Sequence, residues 1–252
     1  MSLPKTPSFR LDGRTALVTG GSRGIGLGCA MALAEAGAHV IVAARGTDAV
    51  AEAAEAINAA GFKATGHALD VGDRAAVEAT FAKFGPIDIL CNSAGMARHG
   101  PALDSQEDDF DAVVNINLKA AYHLAQTAAK QMIGRGGAIL QISSQMGHVG
   151  GIDRSVYCAT KHGVEGMTKA MAIEWGPENI RVNTICPTFI RTPLTEATFN
   201  DPVRRAWIDE KIKLPRVGEV EDIMGAVVFL ASDAGAMITG TSLLIDGGWT
   251  AG

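Results

Sequence analysis

Residues 15–26 read TALVTGGSRGIG: five residues of strand character, Thr15–Thr19, run straight into a glycine-rich turn and an apolar helical pattern. Gly20, Gly21, Gly24 and Gly26 stand where a chain must turn sharply, let backbone approach a phosphate and pack a helix closely on a strand. The helix that follows presents unpaired N–H groups and a positive dipole end to the turn, which suits the phosphates of a dinucleotide lying against Gly20, Ser22, Arg23, Gly24, Ile25 and Gly26. In isolation such a turn is a weak signal. After the first strand of a β-α-β series it points to a dinucleotide, here with the spacing GxxxGxG in place of GxGxxG.

Outward from this stretch the rhythm repeats. Candidate strands are Thr15–Thr19, His39–Ala44, Lys63–Leu69, Ile87–Asn92, Ala138–Ser143, Ile180–Cys186 and Ser242–Asp246, separated by helical patterns near 24–36, 48–60, 74–84, 118–134, 155–175 and 219–231. Runs such as IDILCN and GAILQIS are apolar enough to be covered on both faces, which predicts a parallel sheet with right-handed crossover helices. No linker, repeat or low-complexity tract interrupts residues 1–252, so the chain reads as one α/β domain. Residues 187–214 break the rhythm; a segment about 188–214 reads as a lid or binding loop, with a surface excursion as the bland alternative.

Composition narrows the function classes. Lys and Arg number 22 against 27 Asp and Glu, for a net charge of −5 and no basic block, so neither nucleic acid nor an anionic membrane is the expected partner. The opening MSLPKTPSFRLDGR has no apolar core of a secretory signal, and the longest apolar run, Ile223 to Ala231, is far short of the roughly 20 residues of a bilayer span. Cys29, Cys91, Cys158 and Cys186 stand alone without metal spacing; they read as buried, reduced thiols of a cytoplasmic protein with no metal site.

The second strand carries cofactor information. A free ribose 2′-hydroxyl is usually met by an acidic residue at the end of this strand, but Ala44 stands there, followed by Arg45. With Arg23 in the glycine turn, two guanidinium groups and no carboxylate suit a 2′-phosphate, which favours NADP(H) over NAD(H).

The chemistry lies further on. Tyr157 and Lys161 are four apart in a helical stretch and share one face. A phenol ionises near pH 10, and an ammonium beside it favours the phenolate, drawing that value toward the working range. Ser144, at the carboxyl end of the fifth strand, is placed to hydrogen-bond a carbonyl oxygen. Two hydroxyls on a carbonyl and a hydride donor alongside describe ketone reduction or its reverse.

Taken in order, TGGSRGIG at 19–26, Asn92-Ser93-Ala94-Gly95, Asn117-Leu118, Ser144, Tyr157-Cys158-Ala159-Thr160-Lys161 and Pro187 resemble the short-chain dehydrogenase/reductase family, over nearly the whole span from Leu11 to Thr250. The resemblance implies a Rossmann-type doubly wound sheet of seven parallel strands and a catalytic tetrad. In it Asn117, preferred to Asn115 because Leu118 follows, holds a water linking Lys161 to solvent. Ser144 orients the carbonyl, Tyr157 exchanges the proton, and Lys161 lowers the tyrosine pKa and binds the nicotinamide ribose. It also implies that Asp70 and Val71 flank the adenine, that Asn92, Ala94 and Gly95 line the cofactor, that Pro187, Ile190 and Thr192 hold the carboxamide, and that copies assemble as a homotetramer. Two departures stand out: Ser93 replaces the family's usual Asn, and Thr188 replaces its usual Gly after the proline.

Substrate-facing candidates are Arg98, His99, Gln145, His148, Arg154 and Arg191 beside Met96, Met146, Phe189 and Phe199. They fit a small polar molecule such as a sugar, polyol or sugar acid. A 3-oxoacyl thioester on an acidic carrier is the alternative, with Arg98, Arg135 and Arg154 as its basic patch. A nucleotide-sensing protein without chemistry is disfavoured because Ser144, Tyr157 and Lys161 are all present.

Overall fold

In the computed structural model, which describes residues 1–252, β1 (Thr15–Thr19), β2 (His39–Ala44), β3 (Lys63–Ala68), β4 (Ile89–Asn92), β5 (Gly137–Ile142), β6 (Ile180–Pro187) and β7 (Ser242–Ile245) form one parallel sheet in the order β3-β2-β1-β4-β5-β6-β7. Its register explains the apolar strands. Ile41, Leu17, Leu90, Ile139 and Val182 pair in one row across five strands, while Val42, Val18, Cys91 and Leu140 pair in the next. Because successive side chains point to opposite faces, the two rows bury in opposite directions and both faces must be covered.

The helices supply that cover. The first row packs under α3 (Arg74–Phe84), α5 (Ala121–Met132) and α6 (Ser155–Trp175) through Phe81, Leu124, Ala128 and Met171. The second packs under α1 (Gly24–Glu35), α2 (Thr47–Ala59) and α9 (Glu221–Ala231) through Leu33, Ile57, Val227 and Leu230. Removing one of the larger side chains, Phe81 for example, leaves a cavity and costs about 3–5 kcal/mol. Strand order reverses between β1 and β4, so a crevice opens at their carboxyl ends, where open α/β sheets bind ligands. No helix is long and apolar enough to cross a membrane.

Three readings of the sequence need correction. A helix α4 (Glu107–Val114) precedes the one expected at 118, with acidic Glu107, Asp108 and Asp109 in its first turn. A π-helical turn, Asn115–Ala120, joins α4 to α5. Residues 188–214 are not irregular: α7 (Glu196–Phe199) and α8 (Pro202–Lys211) lie within them, α8 capped by the Asp201 carboxylate on the Val203 and Arg204 amides and opened by Pro202. Finally, Cys29, Cys91 and Cys186 are buried as expected, but Cys158 is only half-buried.

Candidate active site

The turn after β1 has no room for side chains. A Cβ on Gly26 would lie 2.1 Å from the Gly20 carbonyl oxygen, and one on Gly20, whose φ is +64°, would lie 2.8 Å from the Ser93 carbonyl oxygen. Helix α1 starts at Gly24, its first turn holds no acidic residue and no side chain caps it, so its leading amides remain available to an anion. Arg23 and Arg45 are exposed on this edge and take part in no ion pair, unlike most arginines of the chain. Thr192 closes the turn from the opposite side: its methyl would sit 3.4 Å from a Cβ on Gly24. These features fit a dinucleotide phosphate bridge, with Ser22 and Ile25 in the same turn.

Not every expected cofactor residue offers its side chain. Asn92 is fully engaged inside the sheet, accepting from Thr19 Oγ1 at 2.6 Å and donating to Gln141 at 2.8 Å, so it ties together the ends of β1, β4 and β5. Ile190 is buried in the core, and its carbonyl accepts from the Thr195 hydroxyl at 2.6 Å. Asp70 is exposed and accepts from the Gly72 amide at 2.9 Å, with Val71 packed against the core beside it. Ala94 donates its amide to Thr19 Oγ1 at 3.3 Å, Gly95 has the Asn117 side-chain oxygen Oδ1 3.5 Å from its Cβ position, and Pro187 ends β6.

The chemical residues converge at the carboxyl ends of β4, β5 and β6. Ser144 follows β5, Tyr157 and Lys161 lie one turn apart on α6, and the Lys161 ammonium sits 5.6 Å from the Tyr157 ring centre. Lys161 is buried and donates to the Ile142 carbonyl at 2.8 Å. Asn117 sits in the π-helical turn, a distortion common at functional sites. Its amide is clamped on the Met96 backbone, accepting at 2.9 Å and donating at 2.8 Å, and reaches Thr160 beside Lys161 at 3.4 Å. Asn115 lies instead beside Gly72.

The electrostatics differ from expectation in one respect. Burial raises the Tyr157 phenol above its ordinary value, the Ser144 hydroxyl and then Arg154 pull it back only in part, and Lys161, tied to Ile142, is not a leading influence. The phenol is therefore protonated at neutral pH, ready to donate. Burial also lowers Lys161 from 10.5 to about 8, against the opposing pull of Cys186 and Glu165. Between those values the unfolded chain binds the proton and the folded one does not, so this residue's contribution to stability rises as pH rises from about 8 toward 10.5. Relative to Lys161→Met, the wild type is expected to gain on the order of 3 kcal/mol across that interval in urea unfolding. Parallel pH profiles for the two proteins would contradict a neutralised lysine.

One turn beyond Lys161, the buried Glu165 accepts from Thr184 at 2.8 Å, from Ser242, and from the Cys186 thiol at 3.3 Å, with His148 at 3.7 Å. This network escaped sequence reading, since its members come from α6, β6, β7 and a loop with no shared motif. Burial, aided by this carboxylate, pushes the Cys186 thiol up to about 12.

Over the site lies an aromatic cap: Phe189, Trp207 and Trp249 stack with centroids 4.9 to 6.1 Å apart, and Phe199 joins at 6.5 Å. Trp207 lies on α8, so the segment read as a loop contributes a helix to this aromatic cluster. Met146 belongs to the same cluster. Among polar candidates, His99 packs edge-on against Tyr157 at 5.8 Å, and burial with nearby Arg154 and Arg204 takes its pKa down to about 4. Both amide atoms of Gln145 and the Thr188 hydroxyl are buried without protein partners. Arg98 is paired to Asp109 and Arg191 to Glu219, so neither is free.

A sequence model of the family described as enoyl-(acyl carrier protein) reductase matches residues 20–250. The chain is 43% identical to a D-threitol dehydrogenase of Mycolicibacterium smegmatis, over 96% of this chain and 95% of that one. It is 39% identical to a 2-dehydro-3-deoxy-D-gluconate 5-dehydrogenase of Escherichia coli, over 97% and 98%. Among solved structures, a gluconate 5-dehydrogenase from Burkholderia cenocepacia in complex with NADP and tartrate superposes with a TM-score of 0.93 at 36% identity, covering 98% of this chain and 99% of that one.

Proposed function

The chain belongs to the short-chain dehydrogenase/reductase family, and from that premise we propose that it interconverts a secondary alcohol and a ketone on a sugar, polyol or sugar acid, using NADP(H) in preference to NAD(H). The observation that carries the reading is the convergence of Ser144, Tyr157 and Lys161 at the carboxyl ends of the strands, beside a turn shaped for a dinucleotide. The reading takes residues 1–252 as one catalytic domain, since a single sheet gathers strands from residue 15 to residue 245.

Gly20, Ser22, Gly24, Ile25 and Gly26 would hold the cofactor's phosphates, Asp70 and Val71 its adenine, and Ala94, Gly95, Pro187, Ile190 and Thr192 its nicotinamide half. When bound, it supplies or takes up a hydride at the substrate's reacting carbon. In reduction Tyr157, neutral because it is buried, gives its hydroxyl proton to the carbonyl oxygen. The Ser144 hydroxyl hydrogen-bonds the same oxygen, which fixes its position and favours the charge that develops there. The Ser144 hydroxyl and then Arg154 favour the phenolate left on Tyr157, Lys161 would bind the nicotinamide ribose, and Asn117, locked on Met96, holds the water path that returns a proton from solvent. The oxidation runs through the same groups in reverse.

Against a thioester on an acidic carrier stands the dispersal of the three arginines that reading needs. The patch that a carrier protein would need does not form. Arg135 is bound to Asp88 and to the Ile87 carbonyl at the amino end of the sheet, opposite the site, and Arg98 is paired to Asp109. The relatives' polyol and sugar-acid activities agree with this and not with a thioester reductase.

The test is a 340 nm assay crossing NADPH and NADH with keto-sugars, keto-aldonates, 3-oxoacyl thioesters and cyclic diketones. Turnover of the first two classes with NADPH is expected. Replacing both Arg23 and Arg45 by alanine is expected to raise the KM for NADPH tenfold or more and leave NADH little changed, since each arginine offers charge-assisted bonds to the 2′-phosphate. Equal use of both cofactors by the wild type would overturn the preference. We also read α5, α6 and β7, which expose Tyr122, Ile173 and Leu244, as the faces of a homotetramer; a scattering mass of one chain would exclude it.

A further inference from the structure

Of the thirteen arginines in the chain, nine sit in ion pairs. Arg181 is enclosed by backbone, donating to the carbonyls of Leu230, Gly235, Ile238 and Ser232. Arg23 and Arg45 are exposed at the cofactor edge. That leaves Arg154. It is half-buried, with no carboxylate within ion-pair distance and one hydrogen bond, to the Ile152 carbonyl at 3.1 Å. Its guanidinium lies 5.4 Å from the centre of the Phe189 ring, and its residue immediately precedes α6, one turn before Tyr157 completes the first turn's inner face.

A guanidinium carries five donors, so one carbonyl leaves most of them unmet. Partial removal of this cation from water without a counter-charge is unfavourable. The surroundings make it more so: Arg204 approaches from α8, and burial together with that neighbour lowers the pKa of Arg154. Asp153, next in sequence, opposes this only weakly. Arg154 therefore stands beside the reactive tyrosine with no protein anion in ion-pair contact, its guanidinium 5.4 Å from the centre of the Phe189 ring. A planar, bidentate anion is what such a fork binds best.

Resting on the dehydrogenase reading above, we propose that Arg154 anchors a substrate carboxylate, so that the chain's own substrate is a hydroxy acid or keto acid of the sugar series rather than a neutral polyol. The charged end lodges against Arg154 under the Phe189 face, while the reacting carbon meets Ser144 and Tyr157. Arg204, on α8, is already paired with Asp201 at 3.5 Å, which leaves Arg154 as the uncommitted cation at this end. Arg98 and Arg191, the other arginines expected near the substrate, are already committed to Asp109 and Glu219.

The test compares 5-keto-gluconate with fructose, an acid and a neutral ketone of equal carbon number, using NADPH and the full-length protein, with tartrate as an inhibitor. The wild type is expected to favour the acid in kcat/KM at least tenfold. Arg154→Gln is expected to cut the acid-to-neutral ratio tenfold to a hundredfold and to weaken tartrate inhibition to the same extent. Arg154→Lys should keep part of both. The ratio separates an anchor from any general effect on Tyr157, which would slow both substrates alike. If Arg154→Gln fails to fold, the salt dependence of tartrate inhibition in wild type and Arg154→Lys carries the test, and insensitivity to salt overturns the anchor. A wild type that prefers fructose, or a ratio unmoved by Arg154→Gln, also overturns it and leaves the dehydrogenase reading standing. Failure to reduce any ketone in the wider panel would sink the dehydrogenase reading itself. Should other ketones react but neither of these, tartrate inhibition indifferent to Arg154→Gln rejects the anchor.

Discussion

Tyr157→Phe is expected to lower kcat for carbonyl reduction by about 1000-fold, within the range that general acid catalysis supplies. The substitution removes one oxygen and keeps the ring, which packs edge-on against His99 at 5.8 Å and lies 5.6 Å from the Lys161 ammonium. Melting temperature and NADPH affinity should therefore stay close to wild type while turnover collapses. The ketone then meets the Ser144 hydroxyl but no proton donor. Because the phenol is raised by burial, the wild-type donor is in place throughout the neutral range, and reduction should show no loss of rate from Tyr157 ionisation there. A phenylalanine variant retaining a tenth of wild-type kcat would mean that the proton comes from another group.

Gly26→Ala tests the other end of the site. Its Cβ would meet the Gly20 carbonyl oxygen at 2.1 Å and its carbon at 2.7 Å, both backbone atoms that cannot swing aside. Gly20 is itself held at a positive φ and confined by Ser93 and Ala94, so the turn has nowhere to move. The expected cost is about 3 kcal/mol, at the upper end for overpacking, which for a chain of this size lowers Tm by about 6–12 °C. NADPH Kd, read by fluorescence titration, should rise about 100-fold or more as the α1 amides lose their alignment. Gly225→Ala in α9 is the control: nothing lies within 4 Å of its Cβ position, and alanine favours helix by up to about 1 kcal/mol. Equal stability of the two variants would show that the turn tolerates a side chain.

Much of this architecture was legible because the local pattern and the global fold agree. β1, β2, α3 and α6 begin and end where periodicity and turn residues place them, and both apolar rows of the sheet are visible as unbroken hydrophobic runs. Ser144, Tyr157 and Lys161, singled out by chemistry and spacing, stand together at the carboxyl end of the sheet, and Asn117, singled out by the family resemblance, reaches Thr160 beside Lys161. What escaped did so for identifiable reasons. Helix α8 is mostly polar and follows a long irregular run, although Asp201-Pro202 is a helix-start signal. The Glu165 network is assembled from distant segments. The rise in Tyr157 and the fall in Lys161 depend on burial, which no spacing reveals. Likewise, the sequence offers Arg98, Arg154 and Arg191 as equals, and only the partners found by Arg98 and Arg191 separate them.

The wide turn at Asn115–Ala120 has a consequence for how this site can change over time. It holds more residues per turn than its neighbours, so the helical rod from α4 to α5 contains, in effect, one spare link. Deleting a single residue there would restore ordinary winding while α4 and α5 keep their mutual register, because the wide turn already spreads one residue's roughly 100° of rotation over its own length. Asn117 would shift against Met96 and Thr160 while the apolar face of α5 stays on the sheet. The position of Asn117 is thus stored in the count of residues as much as in their identity, and a one-residue deletion within Asn115–Ala120 is the change expected to cost function before it costs fold.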